Sequence, residues 1–336
     1  MKLTTLPSNL QYTIDGIPIL LDVHPTTGKE IPWRQKKLET MKMAEAFRRI
    51  EKKDPGYKYR AAKLEDCGNY LEFKRFIETG ERKLSLANFC KYPLCPMCSW
   101  RRSQKIYGQA SQVMKVAEEQ KYRFVFVTLT MKNCKGVDLG PDITRLYSGS
   151  RSLLKRAKYK KIVHGWMRIL EVTHNTDYYS KSFDTYHPHI HMIWAVKNSY
   201  FKKKGHYISQ AQLTADWQKV MKLDYAPLVD IRAVKLEDKG AIREVAKYAV
   251  KPGDILVQDH DLTDSAILTF DKALAGRRLV SWGGVLKTIK ADLNLDDAET
   301  GDLINTDGEQ PLNEELAYII EKYSWGFGLG QYQQIG

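Results

Sequence analysis

Three histidines stand at alternate positions in His187-Pro188-His189-Ile190-His191-Met192-Ile193-Trp194, a run with the composition of a β-strand. Side chains two apart on a strand leave from the same face, so His189 and His191 can offer imidazoles side by side to one metal ion. A third ligand is expected from Glu171, near the end of the strand-like segment Trp166–Thr173, which a hairpin would lay beside the histidines. Alternation puts Ile169, Glu171 and Thr173 on one face, and a buried carboxylate there needs a cation. His187 cannot share the ion with both other histidines, because four strand residues span about 13 Å. It is expected in an outer shell or at the substrate. His174 falls on the opposite face. Mixed imidazole and carboxylate ligation suits Mn²⁺ or Mg²⁺, an ion able to polarise a phosphate and hold it in place.

Further along, Glu244-Val245-Ala246-Lys247-Tyr248-Ala249-Val250-Lys251 reads as the end of a helix, stopped by Pro252-Gly253. At i, i+4 the Glu244 carboxylate and the Tyr248 phenol share a helix face, and Lys251 follows on it. A phenol is a weak nucleophile at its free pKa near 10, so a fixed phosphate and a nearby cation such as Lys251 are needed for attack. Attack would leave a covalent phosphotyrosine, and Glu244 could serve as general base for the water that later releases it. Together these groups form a toolkit for breaking and rejoining a phosphodiester.

Four of the five cysteines, Cys67, Cys90, Cys95 and Cys98, follow the pattern C-x22-C-x4-C-x2-C, with Cys134 left over. In a reducing compartment disulfides are not expected, and the Cys95-Pro96-Met97-Cys98 pair has the spacing of half a tetrahedral zinc site. Cys90 and Cys67 complete a structural Zn²⁺ set. Trp100, Arg101 and Arg102, directly after it, are expected where a DNA backbone phosphate would lie. Arg277 and Arg278, and His187, are further candidate DNA contacts.

A polyanionic partner is consistent with the charge. The formal net charge is +13 over 336 residues, and from Ala291 onward there are ten Asp/Glu and one Lys, so the first 290 residues carry 52 Lys/Arg against 30 Asp/Glu. A body this basic suits nucleic acid. No run approaches the ~20 apolar residues of a membrane span, and the first residues lack the charged end and apolar centre of a signal peptide; a cytoplasmic protein with no membrane partner is expected.

The elements that must position these residues can be read from periodicity and breakers. Prolines 7, 18, 25 and 32 leave the first stretch loosely structured, and a basic helix is expected over 35–52. The cysteine segment runs into a helix from about Ser99 to Gln120. Strands are expected at 122–131, 166–173, 187–196 and 229–234, with helices at 143–159, 209–223 (Ser209 as N-cap) and 238–250. That order, β-α-β-β-α-β-α, predicts an α+β fold: an antiparallel sheet with helices on one face, in a ferredoxin-like or RRM-like arrangement. The expected segments are a basic region and four-cysteine zinc module leading into a helix (1–120), a nuclease core (121–258), a helical extension (259–290) and an acidic tail (291–336). Within the tail, mobility is expected as far as Asn313 and a short helix over Leu316–Tyr323.

Taken together, Cys67-Gly68, the Cys90–Arg102 segment CKYPLCPMCSWRR, FVTLT, LEVT, HPHIHMI, EVAKYAVK-PGD and ALAGRRLVSWGG resemble the rolling-circle replication initiators of small bacterial plasmids, members of the HUH endonuclease superfamily. The resemblance covers about Cys67 to Gly284. It implies a divalent ion held by His189, His191 and Glu171, Tyr248 as the nicking nucleophile, and Glu244 as the residue that activates water for termination in the single-tyrosine branch. It implies a Thr-Leu-Thr strand end (Val127–Thr130) that shapes the site. It also implies plasmid origin DNA, single-stranded or as a cruciform hairpin, as partner, with the free 3′-hydroxyl priming a host polymerase behind a host helicase. The competing readings are a relaxase or transposase of the same superfamily, in which the tyrosine lies differently and the cysteine module is lacking, and a non-catalytic zinc-containing DNA-binding regulator, which has no use for Glu244, Tyr248 and His189 together.

Overall fold

A computed structural model describes residues 3–5, 12–14, 16–24, 27–235, 240, 242, 246, 250–306 and 316–335. The chain forms two compact units: residues 1–101, 303–305 and 309–336, and residues 102–302 with 306–308. Glu244 and Tyr248 lie outside the described residues. So does most of the helix expected over 238–250, of which Ile242 and Ala246 are buried and joined by a helical-type bond from Ala246 N–H to Ile242 O at 2.9 Å.

In the first unit the short strands β1 (Leu3–Thr5), β2 (Tyr12–Ile14) and β3 (Ile17–Ile19) precede the helices α1 (Trp33–Lys53) and α2 (Lys58–Asp66), then the strands β4 (Tyr70–Phe76) and β5 (Arg82–Ala87). Helix α3 (Pro96–Glu119) begins in this unit. The second unit contains β6 (Tyr122–Thr130), α4 (Gly136–Lys155), α5 (Ala157–Ile162), β7 (Val163–Asn175), β8 (Thr185–Lys197), α6 (Ser199–Lys202), α7 (Gln210–Met221), β9 (Val229–Val234), α8 (His260–Leu274), β10 (Val280–Gly284) and α9 (Val285–Asp292). The strands β11 (Tyr318–Gly326) and β12 (Gln331–Gln334) return to the first unit, whose seven strands run β1-β2-β3-β12-β11-β4-β5. The loosely structured start expected from the prolines thus contributes three short strands at one end of the sheet, and the segment expected as a helix over Leu316–Tyr323 is instead strand from Tyr318. The composition-based division at 120, 258 and 290 does not follow the two units. Local composition could not reveal that β11 pairs with β4, since partners such as Glu321 and Phe73 stand far apart in sequence.

The second unit is built on a five-stranded sheet of order β10-β7-β8-β6-β9 with antiparallel neighbours throughout. β-Branched and aromatic residues make β6 a strand, and it pairs along its length with β8. The register of the β7–β8 hairpin is fixed by its loop. Asn175 donates to Ser180 Oγ at 2.9 Å and Ser182 Oγ at 2.7 Å, Tyr178 stacks on Phe183 at 4.2 Å, and Asp184 takes the left-handed conformation (φ 51°) that aspartate tolerates. A slip of one residue would turn every side chain of a strand to the other face.

Even-numbered β8 residues Ile190, Met192, Trp194 and Val196 are all buried. On their side Tyr159 of α5 packs edge-on to Trp194 at 5.8 Å, and Trp217 of α7 donates its indole N–H to Thr130 O at 2.8 Å. Helices α4 and α7 approach closely enough that a Cβ on Gly149 would meet Met221 Sδ at 2.2 Å. Helices are not confined to that face. Gly165, on the Glu171 side by parity, sits so close to the start of α9 that a Cβ would meet Leu286 N at 2.8 Å, so α9 covers the β10 end of the opposite face.

From Ala291 to Thr306 the acidic stretch is tied down by specific contacts, and residues 307–313, the rest of the segment expected to be mobile, lie outside the described residues. Asp296 accepts from Lys105 Nζ at 2.6 Å, Asp297 pairs with Arg278, and Glu299 accepts from the N–H groups of Leu279 and Val280 at 2.6 and 2.9 Å. Its carboxylates satisfy cations and backbone donors of the second unit, which composition alone presents as a solvated acidic run.

Candidate metal centre and cysteine cluster

Register places the site. Glu171 on β7 is paired directly with His189 on β8, which is paired in turn with Thr130 on β6; one step along, His191 is paired with Thr128. Glu171, His189 and His191 are buried, and their ligand atoms lie within 4.8 Å of one another. Glu171 Oε2 stands 2.9 Å from His191 Nε2 and 3.4 Å from His189 Nε2, while Oε1 receives Lys251 Nζ at 2.9 Å. Burial alone would raise the Glu171 carboxyl, but hydrogen bonds from His189, His191 and Lys251 hold it far below the usual carboxylate range.

The other ring nitrogens are already engaged. His189 Nδ1 lies 3.1 Å from His187 O and His191 Nδ1 lies 3.0 Å from Thr128 Oγ1. A carbonyl can only accept, so His189 Nδ1 donates to His187 O, and Nε2 is the nitrogen turned toward Glu171. This is the arrangement of metal-binding histidines, whose second nitrogen is held by an outer partner. One carboxylate and two imidazoles with engaged outer nitrogens fit a divalent metal ion.

His187 stays half-buried outside the triad, its ring stacked on His189 at 5.1 Å, and burial lowers its pKa. Its backbone carbonyl, rather than its ring, serves His189. His174 is on the opposite face, stacked on Tyr186 at 4.4 Å and bonded to Asp184 at 2.9 Å. Two residues lie in motifs singled out in the sequence but had no individual role assigned there. Thr128 holds His191, and the register of the Thr-Leu-Thr strand against the histidines was the available signal. Asp254, after Lys251, has a buried Oδ2 without a hydrogen-bond partner, and burial pushes its carboxyl up against the pull of Lys251. It closes the EVAKYAVK-PGD motif, whose resemblance gave it no role of its own.

In the first unit the cysteines converge. Cys67 ends α2, and Gly68 after it takes a left-handed turn (φ 67°) that favours glycine. Cys95 and Cys98 flank the start of α3. Sulfur–sulfur distances are 3.5 Å for Cys95–Cys67, 3.6 Å for Cys67–Cys98 and 3.7 Å for Cys90–Cys98. Tetrahedral thiolates at the Zn–S length of about 2.3 Å would stand roughly 3.8 Å apart, so the cluster has the size of such a site. Backbone N–H groups of Cys90 and Tyr92 point at the sulfurs of Cys67 and Cys90 at 3.4 and 3.5 Å. Buried Lys37 donates to Glu65 O and Cys67 O at 2.9 and 2.8 Å, placing a cation beside the four sulfurs.

Arg101 and Arg102 are not where a DNA phosphate could reach them. Both are buried; Arg101 donates to Leu303 O at 2.9 Å and Ile304 O at 2.6 Å, and Arg102 to Glu299 O at 3.1 Å. Their place beside the cysteines in sequence suggested exposure, whereas their role is to hold the 299–304 segment. Arg277 bonds Ala273 O, Thr144 Oγ1 and Gly140 O at 2.6, 2.8 and 2.9 Å, and Arg278, largely exposed, pairs with Asp297. Among the described residues no helix is long and apolar enough to cross a membrane.

Residues 81–332 match the family of replication proteins designated Rep_1. A curated Protein rep from Bacillus amyloliquefaciens is 40% identical over 96% of this chain and 99% of its own length. Another from Bacillus sp is 42% identical over 78% of this chain and 90% of its own, and one from Streptococcus pneumoniae serotype 2 is 40% identical over 89% and 90%. No solved structure is a significant match to the chain. Coverage on this scale spans both units, and the chain belongs to the Rep_1 family of replication proteins, the kind its motifs resemble.

Proposed function

We propose that the chain is a plasmid rolling-circle replication initiator that nicks origin DNA through Tyr248 and later rejoins or hydrolyses the resulting bond. The reading is supported above all by the Glu171–His189–His191 triad, with the outer nitrogen of each imidazole held in place. Further support comes from the sheet order β7-β8-β6-β9 within the β-α-β-β-α-β run, the order expected of a ferredoxin-like core, and from the basic body, which suits DNA.

Glu171, His189 and His191 would hold Mn²⁺ or Mg²⁺, which supplies Lewis-acid polarisation of the scissile phosphate. The Tyr248 oxygen attacks phosphorus and gives up its phenolic proton, the bond from phosphorus to the 3′-oxygen breaks, and the 3′-oxygen takes up a proton in exchange and leaves as a hydroxyl. The 5′-phosphate stays on the tyrosine. Lys251, paired with Glu171, keeps a cation beside the carboxylate and within the region a phosphate would enter. At termination Glu244 takes the proton of a water that displaces the tyrosine oxygen. Cys67, Cys90, Cys95 and Cys98 would hold a structural Zn²⁺ that ties the start of α3 to the end of α2. The protein acts in the cytoplasm, with a host helicase opening the duplex and a host polymerase extending the 3′-hydroxyl.

Incubation with a single-stranded origin oligonucleotide and Mn²⁺ tests this reading. A covalent protein–DNA adduct that disappears in Tyr248→Phe is expected. Specific DNA binding with no adduct under any divalent ion would favour a regulator without catalysis and overturn it.

A further inference from the structure

Arg168 lies in the middle of β7 and by parity leaves the sheet on the side away from Glu171. It is 6% exposed. Its guanidinium lies 3.9 Å over the Tyr147 ring and donates to Ser281 Oγ at 3.2 Å, while its Nε is buried without a hydrogen-bond partner. Glu299, the carboxylate whose field reaches it, is occupied by the N–H groups of Leu279 and Val280. Burial disfavours the charge, yet a guanidinium does not give up its proton in a protein. A buried cation with an orphan donor and only neutral direct partners is costly, and an anion would relieve that cost.

The surroundings reinforce the point. Arg168 lines a cavity of about 440 Å³ together with Arg151, Arg277 and Arg278. The hydrogen bonds of Arg277 go to Ala273 O, Thr144 Oγ1 and Gly140 O, which are all uncharged, whereas Arg278 has the carboxylates of Asp297 and Glu299. Four cations therefore meet two carboxylates around one opening.

We propose that this cavity is a phosphate seat that holds a backbone phosphodiester of the DNA, on the face of the sheet opposite Glu171, His189 and His191. The guanidinium groups of Arg168 and Arg151 are its donors. The cavity does not suit a base: the Tyr147 ring, the aromatic face available for stacking, is covered by Arg168, and its hydroxyl is tied to Arg278 O at 2.9 Å. The choice of DNA over a free phosphate rests on the proposed nicking function. Such a seat would grip the strand away from the scissile bond and fix its register without reading sequence.

The test is DNA binding by the full-length protein, measured by fluorescence anisotropy over a range of salt concentrations without added Mn²⁺ or Mg²⁺. Arg168→Met and Arg151→Ala should each weaken binding about tenfold, and each should flatten the dependence of log K on log salt by about one phosphate contact. Unchanged affinity and slope in both variants would overturn the proposal. Arg151 is exposed, so Arg151→Ala decides the matter if Arg168→Met does not fold. Thermal melts in inorganic phosphate separate the sources. Stabilisation of the wild type that is lost in the variants, with DNA affinity untouched, would mean a free-anion site and overturn the DNA assignment. Wild-type protein that binds no DNA would sink the proposed function itself. The phosphate melt then decides the seat, and identical melts for wild type and variants would overturn it as well.

Discussion

Glu171 and His189 face each other directly across the β7–β8 ladder, and one oxygen of that carboxylate serves both His189 and His191. The pairing follows from hairpin register, so the structured 176–184 loop and the site are one device. Each imidazole is also held from behind, His189 by a backbone carbonyl and His191 by Thr128. Only the second of these can be removed by substitution.

Thr128→Val should therefore leave the sheet intact, because valine keeps the β-branched shape, while freeing the His191 ring to rotate and change tautomer. Outer-partner losses of this kind cost about 10–100-fold in metal affinity. Titration of Mn²⁺ by calorimetry should show a drop of that order with the melting temperature nearly constant. Equal affinities would mean that Thr128 merely packs.

A second prediction concerns Glu321 of β11, which is 3% exposed and accepts from Arg75 and Arg82, each at 2.6 Å. Burial would raise its carboxyl, but Arg82 and Arg75 hold it below the usual value of 4.5. A carboxylate depressed in the folded state contributes stability that is fully present above its unfolded pKa and is lost as pH falls through the folded one. Glu321→Gln should cost about 3–5 kcal/mol at pH 7, since two arginines lose their charged partner. The gap between wild type and variant should close as pH drops below 4.5. Urea unfolding at several pH values checks the sign; a gap that widens in acid would contradict it.

The contrast between these two sites shows what the sequence made legible. Strand parity sufficed for Glu171, His189 and His191, because their relation lies within one hairpin and period 2 carries it. Strands β6 and β9 were legible at their observed positions from β-branched content, while α4 and α5 were read as one helix, with the break at Arg156 unseen. Glu321 belonged to a segment read as helix, since its strand partners stand some 240 residues away and its buried face alternates a glutamate with Tyr323 and Trp325. Arg101 and Arg102 were misjudged for the same reason: their carbonyl partners arrive from residues 299–304. Long-range pairing is invisible to local pattern, whether the partner is a strand or a loop.

The cysteine cluster makes its own demand. Protein purified without added metal should contain about one zinc per chain by elemental analysis, as four converging thiolates imply. Chelation should lower the melting temperature, and Cys98→Ser should lower zinc content with it. Five freely titrating thiols in the native protein would rule out the metal and leave the four sulfurs as ordinary packing.

Glu244 allows the most discriminating test, because its proposed role separates two steps that share one phosphate. Tyr248 is the nucleophile in the first attack, so Glu244→Gln should still nick an origin oligonucleotide and form the adduct. Release by water needs a base, and a glutamine cannot accept the proton. The variant should therefore accumulate as the covalent species, leaving it only by rejoining to an added strand with a free 3′-hydroxyl. A gel assay that follows adduct formation and decay separates the outcomes. If Glu244 simply pairs with a lysine on its helix, decay by hydrolysis will proceed at the wild-type rate. Adduct that persists in Glu244→Gln but vanishes on addition of the acceptor strand would assign water activation to Glu244 and strand transfer to Tyr248.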